Sequence, residues 1–590
     1  METTARTQPT KRWTLAPTNE QAADLAARLK VSPLVAQILL NRGISEPDDC
    51  HKFLKPTLKD LHDPSLLAGL PRAAERIARA IKDHQKITVY GDYDVDGITA
   101  TSILWHAIKL LGGDVHYYIP HRVDEGYGLN ADAIVELADS GTQLLITVDC
   151  GVTAVAPAAV AAERGVDLII TDHHEFHHDE ATPLPAAYAI VHPRMPREDG
   201  GAYPNGNLCG AGVAFKLAWG IGQAVNGAAK VSDEFRAFLV EATALAALGT
   251  IADVVPLVGE NRILAHFGLG GLKASRLTGI RALIESANLV GKKLDSFHVG
   301  FLLGPRLNAC GRMGHAALAV EMLTVADQGR AIEIATYLEE QNRDRQAMEK
   351  QILAAAIEQI ESRGYAGEDC FALVVAGEGW HPGVIGIVAS RLVERYHRPT
   401  VMIAINPDGI GQGSARSIAG FHLADAFTAC TQHLLSHGGH EMAAGLKLDA
   451  TNLDAFRAAF CEHAKQRLTP EQLVPQILLD ADSQLGQINH ALVTDLARLG
   501  PFGQGNRKPL LCCRNLTIAI TPRRVGKTGD HLQLMLKQGT LSIKAIAFNG
   551  SKWFDDLTPG RTVHLAVEPT INEFNGRVSV ELEVKDLQIE

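Results

Sequence analysis

With 590 residues, 46% of them hydrophobic and 21% charged, the chain exceeds one ordinary core and has the composition of about three or four globular domains, which excludes a stapled miniprotein, a disordered chain and a bundle of membrane spans. The formal net charge of -11 opposes a uniformly nucleic-acid-seeking surface, so any such surface must be local. Nine cysteines are scattered apart from Cys512 and Cys513, with no CxxC pair, and indicate neither a structural zinc site nor a disulfide framework.

No apolar run reaches spanning length; the longest, 211–225 and 238–251, carry Lys216 and Glu241 and read as buried helices. The opening METTARTQPTKRW has no apolar signal segment, so a cytoplasmic location and no membrane partner are expected. The first seventy residues read as helix and loop, with one helical segment over 21–40. From residue 86 to about 255, β-rich runs alternate with helical patterns: KITVY, ITATSILWHAIKLLG, VHYYIP, DAIVELADSG, LLITVD, TAVAPAAVAAERG and DLIIT. Such alternation predicts a parallel sheet wound by crossover helices. Residues 316–363, without Gly or Pro after Gly329, read as one connecting helix. A second α/β unit follows over 371–468, with strands FALVVA and TVMIAI and Gly-rich turns. The last part changes to period two, in HLQLMLK, LSIKAIAF, TVHLAV and VSVELEV, the last two flanking an Asn575-Gly576 turn signal; it reads as a small all-β barrel of the OB type.

Three predicted strands run directly into acids or histidines: into Asp92, Asp94 and Asp96, into Asp149, and into Asp172, His173 and His174, with His177 and His178 close behind. The carboxyl edge of an open parallel sheet is where ligands bind, so residues distant in sequence meet there. Three carboxylates at alternate positions repel one another unless cations or protons neutralise them. DYDVDG is not an EF-hand loop, because the twelfth position is Ile103 where a bidentate Glu is required. Taken alone, the acidic turn is as compatible with a solvated loop as with a site, and the His pair reads more readily as polar loop residues. Asp253, in the strand-like turn GTIADVVPL, adds a carboxylate inside an apolar run, which calls for a partner or a metal. Carboxylates mixed with imidazole suit Mn²⁺, Mg²⁺ or Zn²⁺, and the oxygen-rich mixture favours the first two. Two such ions would serve phosphoryl hydrolysis. No P-loop or dinucleotide fingerprint competes.

DYDVDG, VDCG around Asp149, DHH at 172–174 and GTIADVVPL together resemble the ordered motifs of the DHH phosphoesterase family. The resemblance implies Asp94, Asp96, Asp149, His173 and Asp253 as metal ligands with Asp149 bridging, His174 approaching the scissile phosphate, and Asp92 as a further catalytic participant. Tyr90 stands where the pyrophosphatase branch has a His, which counts against that branch. GPRLNACGRMG (304–314), EGWHPGVIGIVASRL (378–392), GSARS (413–417), GGHEMAAG (438–445) and LGPFGQGNRKP (499–509) are similar to the RecJ branch of single-stranded-DNA exonucleases. That similarity implies phosphate contacts from Arg306, Asn308, Arg312, His381, Ser414, Arg416, Ser417 and His440.

The fold expected is α/β: a DHH domain (71–315) and a DHH-associated domain (366–470) joined by a long helix (316–365), after an N-terminal segment (1–70) and before an OB-like barrel (471–590). Residues 496–529 contain no Asp or Glu, while Arg507, Lys508, Arg514, Arg523, Arg524 and Lys527 are basic, which reads as a nucleic-acid groove on that barrel. The function expected is 5′-to-3′ degradation of single-stranded DNA in repair and recombination, with a single-stranded-DNA-binding protein and a helicase as family-implied partners. The alternatives are a DHH phosphodiesterase of short oligonucleotides or cyclic dinucleotides, and a non-catalytic replication scaffold.

Overall fold

A strand buried on both faces loses its polar alternation and joins a parallel sheet, and the apolar runs of the first half do this. The computed structural model describes residues 11–590 except 122–124, 127, 177–182, 313–314, 366, 368 and 575, and except the side chains of Arg312 and Phe574; His177 and His178 lie outside the described residues. A strand, β1 (Arg12–Leu15), precedes α1 (Ala22–Leu29), α2 (Pro33–Asn41) and α3 (Pro47–Leu54). The single helix expected over 21–40 is therefore two. Ser32 caps the Leu34 N–H and Pro33 takes the first position of α2, so one hydrogen-bond ladder cannot run through.

After α4 (Leu70–Lys82) come β2 (Lys86–Gly91), α5 (Val95–Leu110), β3 (Asp114–Tyr118), α6 (Ala131–Asp139), β4 (Leu144–Val148), α7 (Val155–Glu163), β5 (Asp167–Thr171) and β6 (Ala189–Val191). The sheet is parallel throughout, in the order β3-β2-β4-β5-β6. Its register sets Gly91, Val148, Thr171 and Val191 side by side. Whatever follows those four residues is consequently delivered to one edge. Helices α8 (Gly210–Asn226) and α9 (Asp233–Ala252) pack on α5, which is buried along most of its length. Among the described residues, α9 alone is long and apolar enough by composition to cross a membrane, and its Leu245 and Leu248 lie in the domain core.

Next come α10 (Gly259–Ala274), α11 (Thr278–Ser286), the single turn α12 (Ser296–His298), α13 (Gly304–Arg312), α14 (Ala316–Leu323) and α15 (Gln328–Ser362). The continuous helix expected from 316 is thus interrupted: the Asp327 carboxylate accepts the Arg330 N–H and starts a new helix with Gly329 in its first turn.

The second α/β sheet uses β7 (Leu373–Glu378), α16 (Pro382–Tyr396), β8 (Thr400–Ile405), β9 (Ile410–Arg416), α17 (Leu423–Ala429), β10 (Ser436–Gly439) and β11 (Ala443–Asp449), with α18 (Leu453–Arg467) following and β12 (Gln476–Leu479) pairing with β1. Its order is β10-β11-β9-β8-β7, with only β7 and β8 parallel. GSARS, expected as a Gly-rich turn, is the end of strand β9, and GGHEMAAG is the corner between β10 and β11.

The C-terminal part comprises β13 (Ala481–Asp482), α19 (His490–Ala497), β14 (Leu511–Ile518), β15 (Arg523–Val525), β16 (His531–Gln538), β17 (Leu541–Ala547), β18 (Thr562–Phe574) and β19 (Arg577–Ile589). Its sheet runs β13-β14-β18-β19-β17-β16-β15, and an added β14–β16 pairing closes it into a barrel. Phe574 faces Arg577 across the turn that Gly576, at a φ of 74°, completes. Leu25, Ile38, Leu39 and Leu54 of the N-terminal helices share one core with the barrel's Leu511, Leu532 and Val563. The chain forms two compact units, Leu15–Glu339 with Leu479–Glu590, and Glu340–Leu478 with the N-terminal residues up to Thr14.

Candidate metal centre

The aligned strand ends place Asp92 after β2, Asp149 after β4, Asp172, His173 and His174 after β5, and His192 after β6. Asp94 caps α5, accepting the N–H groups of Asp96 and Gly97 at 2.8 and 3.1 Å. Asp96 is buried in the first turn of that helix and accepts the Gly210 and Ala211 N–H groups at 2.5 and 2.8 Å, so the N-terminus of α8 is aimed at its carboxylate. Asp149 has a left-handed backbone, φ 63°, tied by its N–H to the Thr171 carbonyl at 3.0 Å. Asp253 is no part of a strand-like turn: α9 continues to Ala252 and Asp253 is its C-cap, followed by Val254 at φ 61°.

These side chains converge. His173 Nε2 lies 3.0 Å from Asp149 Oδ1, 3.6 Å from Asp253 Oδ2 and 3.7 Å from Asp96 Oδ2. Three sets of potential ligand atoms lie within 4.8 Å of one another: Asp92, Asp94 and Asp149; Asp96, His173 and Asp253; and Asp149, His173 and His174. Asp149 belongs to the first and last of them, and His173 to the last two, so two ion positions sharing Asp149 can be filled from these residues.

The chemistry of the donors fits cations. Asp149 Oδ1, His173 Nε2 and Asp253 Oδ2 are buried and have no hydrogen-bond partner among the described residues, an arrangement that is costly without a third body between them. Burial, then repulsion from Asp96, Asp94, Asp92 and Asp253, pushes the Asp149 carboxyl well above the usual range. Burial, then Asp96 and Asp94, lifts Asp253 to about 9. Burial raises Asp96 as well and lowers His173 to about 4, leaving a neutral imidazole suited to ligation. Glycine is required beside the cluster: a Cβ on Gly210 would sit 2.8 Å from Asp149 Oδ1, and one on Gly249 2.5 Å from Asp96 Oδ1.

Asp172, not counted among the catalytic candidates from sequence, holds His174. Its Oδ1 accepts from the His174 ring at 2.8 Å and from the His173 and His174 N–H groups, while Oδ2 accepts the Val152 N–H. Against the effect of burial, these bonds bring the Asp172 carboxyl down to about 2, and Asp172 raises His174 to about 9. Tyr90, the departure from the pyrophosphatase pattern, is fully buried, donates to the Gly128 carbonyl at 3.0 Å and stacks on Tyr118.

The residues expected at substrate phosphates are placed differently from one another. Asn308 accepts the Val95 N–H at 3.2 Å, and a Cβ on Gly311 would meet the Tyr93 carbonyl oxygen at 2.2 Å, so α13 braces the DYDVDG turn. Arg306 is nearly buried and paired with Glu339 at 2.6 Å; the Arg312 side chain lies outside the described residues. In the other unit, Ser414 and Arg416 lie on β9 against Gly386 of α16, which His381 caps through the Gly383 N–H. Among the described residues no carboxylate pairs with the Arg416 guanidinium, which donates to Ser414 Oγ and the Ala415 carbonyl. Ser417 is buried and committed to the Phe421 carbonyl, and His440 is exposed at the β10–β11 corner.

On the barrel, the acid-free run meets acids from elsewhere: Arg507 pairs with Asp480 at 2.9 Å, Lys508 with Glu568 at 2.8 Å and Arg514 with Asp482 at 3.3 Å. Arg523, Arg524 and Lys527 remain exposed, with Arg524 over the Phe554 ring.

A wound parallel sheet with acids and a DHH triplet gathered on its carboxyl edge defines a DHH-type protein, and residues 86–250 match the DHH family N-terminal domain, 368–466 the DHHA1 domain and 479–586 the RecJ OB domain. The chain is 38% identical to the single-stranded-DNA-specific exonuclease RecJ of Bacillus subtilis over 98% of its own length and 71% of that protein's, and 34% identical to the Dickeya dadantii protein of that name over 94% and 96%. It belongs to the RecJ family. The structure of Thermus thermophilus RecJ in complex with Mn²⁺ superposes with a TM-score of 0.81 at 32% identity, covering 98% of this chain and 79% of that one.

Proposed function

We propose that the chain is a metal-dependent exonuclease that degrades single-stranded DNA in the 5′-to-3′ direction. The observation that carries the reading is two adjoining ligand sets at the edge of the parallel sheet, Asp92, Asp94 and Asp149 in one and Asp96, His173 and Asp253 in the other, linked by His173 at 3.0 Å from Asp149, with buried donor atoms left unsatisfied by the described residues. The relatives named as single-stranded-DNA-specific exonucleases, the RecJ structures solved with Mn²⁺ and with Mg²⁺, and the OB domain support the substrate and the ions.

Bound at Asp92, Asp94, Asp96, Asp149, His173 and Asp253, two Mn²⁺ or Mg²⁺ ions would supply Lewis acidity and a hydroxide at neutral pH. The protein holds Asp149 in place through the Thr171 carbonyl and Asp96 through the start of α8. His174, half-exposed and kept protonated by Asp172, is suited to bind a phosphate oxygen and to return a proton to the leaving oxygen. Arg416, a largely buried cation with no carboxylate partner among the described residues, is suited to a terminal 5′-phosphate, with Ser414 beside it. Asn308 braces the DYDVDG turn, and the exposed Arg523, Arg524 and Lys527 are suited to the polymer. A cytoplasmic setting, a single-stranded-DNA-binding protein and a helicase accord with this reading.

The test is degradation of 5′-labelled and 3′-labelled single strands, duplex and RNA, with Mn²⁺ and with chelator. Release of labelled mononucleotide first from the 5′ end of single-stranded DNA, and none in chelator, is expected. Attack from the 3′ end, or preference for dinucleotides over long strands, defeats the reading. Arg416→Ala is expected to lose the preference for 5′-phosphorylated over 5′-hydroxyl ends.

A further inference from the structure

The barrel motif LGPFGQGNRKP makes its contacts with the metal domain. Arg262, on α10, is almost fully buried, and no carboxylate among the described residues pairs with it. Its guanidinium donates instead to backbone carbonyls: Leu499 at 2.8 Å, Gly500 at 2.6 Å and Arg498 at 3.3 Å on the barrel loop, and Phe53 at 2.9 Å on α3, whose ring it covers at 3.8 Å. A cation taken out of water without a counter-ion needs its donors satisfied, and the loop carbonyls do so together with that of Phe53. Asn506 closes the cage by donating to the Leu499 and Pro501 carbonyls at 2.9 and 2.7 Å.

The same loop grips the segment that leaves Asp253. Four residues after that carboxylate, the Leu257 N–H donates to the Gln504 carbonyl at 2.8 Å. The fit is close: a Cβ on Gly503 would meet Leu257 Cδ1 at 2.7 Å, and one on Gly505 would meet Pro256 Cβ at 3.0 Å. From the other side, Asn261 donates to the Pro256 carbonyl at 3.1 Å. Between Asp253 and this double grip lie two residues, Val254 and Val255, the first in left-handed conformation. Asp253 has no sheet neighbour to fix it, unlike Asp149, and is the last residue its helix holds, by its N–H on the Gly249 carbonyl at 2.9 Å.

We infer that the barrel loop 498–506, caged on Arg262 and bonded to Leu257, is a positioning device for Asp253: the C-terminal domain sets one metal ligand of the α/β domain as well as contacting substrate. Arg262 is a positioning residue and touches neither ion nor DNA. The inference rests on the metal-site reading proposed above. Wild-type protein that binds no Mn²⁺ sinks that reading; wild-type binding with unaffected variants sinks this inference alone.

The experiment measures Mn²⁺ binding by calorimetry to the full chain, together with kcat on an oligonucleotide too short to reach the barrel. Arg262→Lys keeps the charge but cannot reach all the carbonyls, and Asn506→Ala opens the cage without touching Arg262. In variants whose circular dichroism matches wild type, Mn²⁺ affinity is expected to fall about tenfold, the low end for groups that orient ligands. Turnover on the short substrate falls with little change in KM, and excess Mn²⁺ restores part of it. Lys537→Gln, an exposed change on β16 of the barrel outside the loop, leaves Mn²⁺ affinity unchanged. Unchanged Mn²⁺ affinity in folded Arg262→Lys, or in Asn506→Ala where the lysine variant does not fold, overturns the inference and leaves the loop a domain fastener.

Discussion

The Asp172 carboxylate accepts a hydrogen bond from His174 Nδ1 at 2.8 Å and so sets the orientation of that imidazole. Three further N–H groups, from Val152, His173 and His174, saturate the carboxylate, so its charge is fixed and directed at one imidazole. Asp172→Asn preserves shape and removes that charge. The expected outcome is a loss of about a hundredfold in kcat, the lower range for removing acid–base assistance. Mn²⁺-induced thermal stabilisation should remain close to wild type, because Asp172 holds His174 and stands outside the proposed ligand sets. A variant with lost Mn²⁺ stabilisation and unchanged kcat at saturating metal would reverse that assignment.

Metal-free protein should become less stable as pH rises. Asp253 is raised to about 9, and Asp96 and Asp149 are raised too, so at intermediate pH the folded state holds protons that the unfolded chain has released. Stability from these groups is fully present below the unfolded carboxyl value near about 4 and is lost as pH climbs towards their folded values. Melting temperatures of chelated protein between pH 5 and pH 9, read as differences between buffers, should therefore fall, and added Mn²⁺ should flatten the profile. Asp149→Asn, compatible with the left-handed backbone there, should flatten it without metal while abolishing hydrolysis. A chelated wild type that gains stability towards pH 9 contradicts the crowding argument.

The alternation of β2, α5, β3, α6, β4, α7 and β5 was legible because fully buried strands and their crossover helices differ in length and period, and because each strand ended on an acid or histidine. The three-residue β6 is too short to register in any window. Asp253 misled for a physical reason: Ala244 to Gly249, just before it, is apolar on all sides because α9 is buried there, and an all-round apolar run carries no period. GSARS looked like a turn because Gly411 and Gly413 signal one, yet in β9 they make room for Ile403 and Leu446. Asp480, Asp482 and Glu568 neutralise half of the basic run from outside it, and Arg262 finds its carbonyl cage more than 230 residues away. Such pairings are set by tertiary closure, which local charge or spacing does not encode.

Lys216 on α8 and Glu260 on α10 form a fully buried ion pair, further tied by the Lys216 ammonium to the His62 carbonyl at 2.6 Å and by Glu260 to the His62 N–H at 2.7 Å. Glu260→Leu strands the ammonium and Lys216→Met strands the carboxylate, and each alone should cost about 3–5 kcal/mol, as breaking buried pairs does. The double change Lys216→Met with Glu260→Leu should recover most of it. Thermal unfolding of the four proteins forms the cycle, and additive losses would show that the two groups do not depend on each other.

The barrel's contribution to substrate binding now rests on fewer residues than the acid-free run contains. Arg507, Lys508 and Arg514 already have carboxylates at 2.8–3.3 Å, and a strand would have to compete with those. Arg523, Arg524 and Lys527 are exposed, the first two on the edge strand β15. Each phosphate contact to a single strand contributes about 0.7 to the slope of log affinity against log salt, so replacing all three with Gln should reduce the slope by about 2. Lys508→Gln with Arg514→Gln should change it far less. Affinity for a long single strand, followed by fluorescence anisotropy across a salt series, separates the two sets, and turnover of a short oligonucleotide controls for damage to the metal centre. Equal effects from both sets would mean that the strand displaces the intramolecular carboxylates and that the groove is wider than β15. No effect from either would leave polymer recognition to the α/β domains.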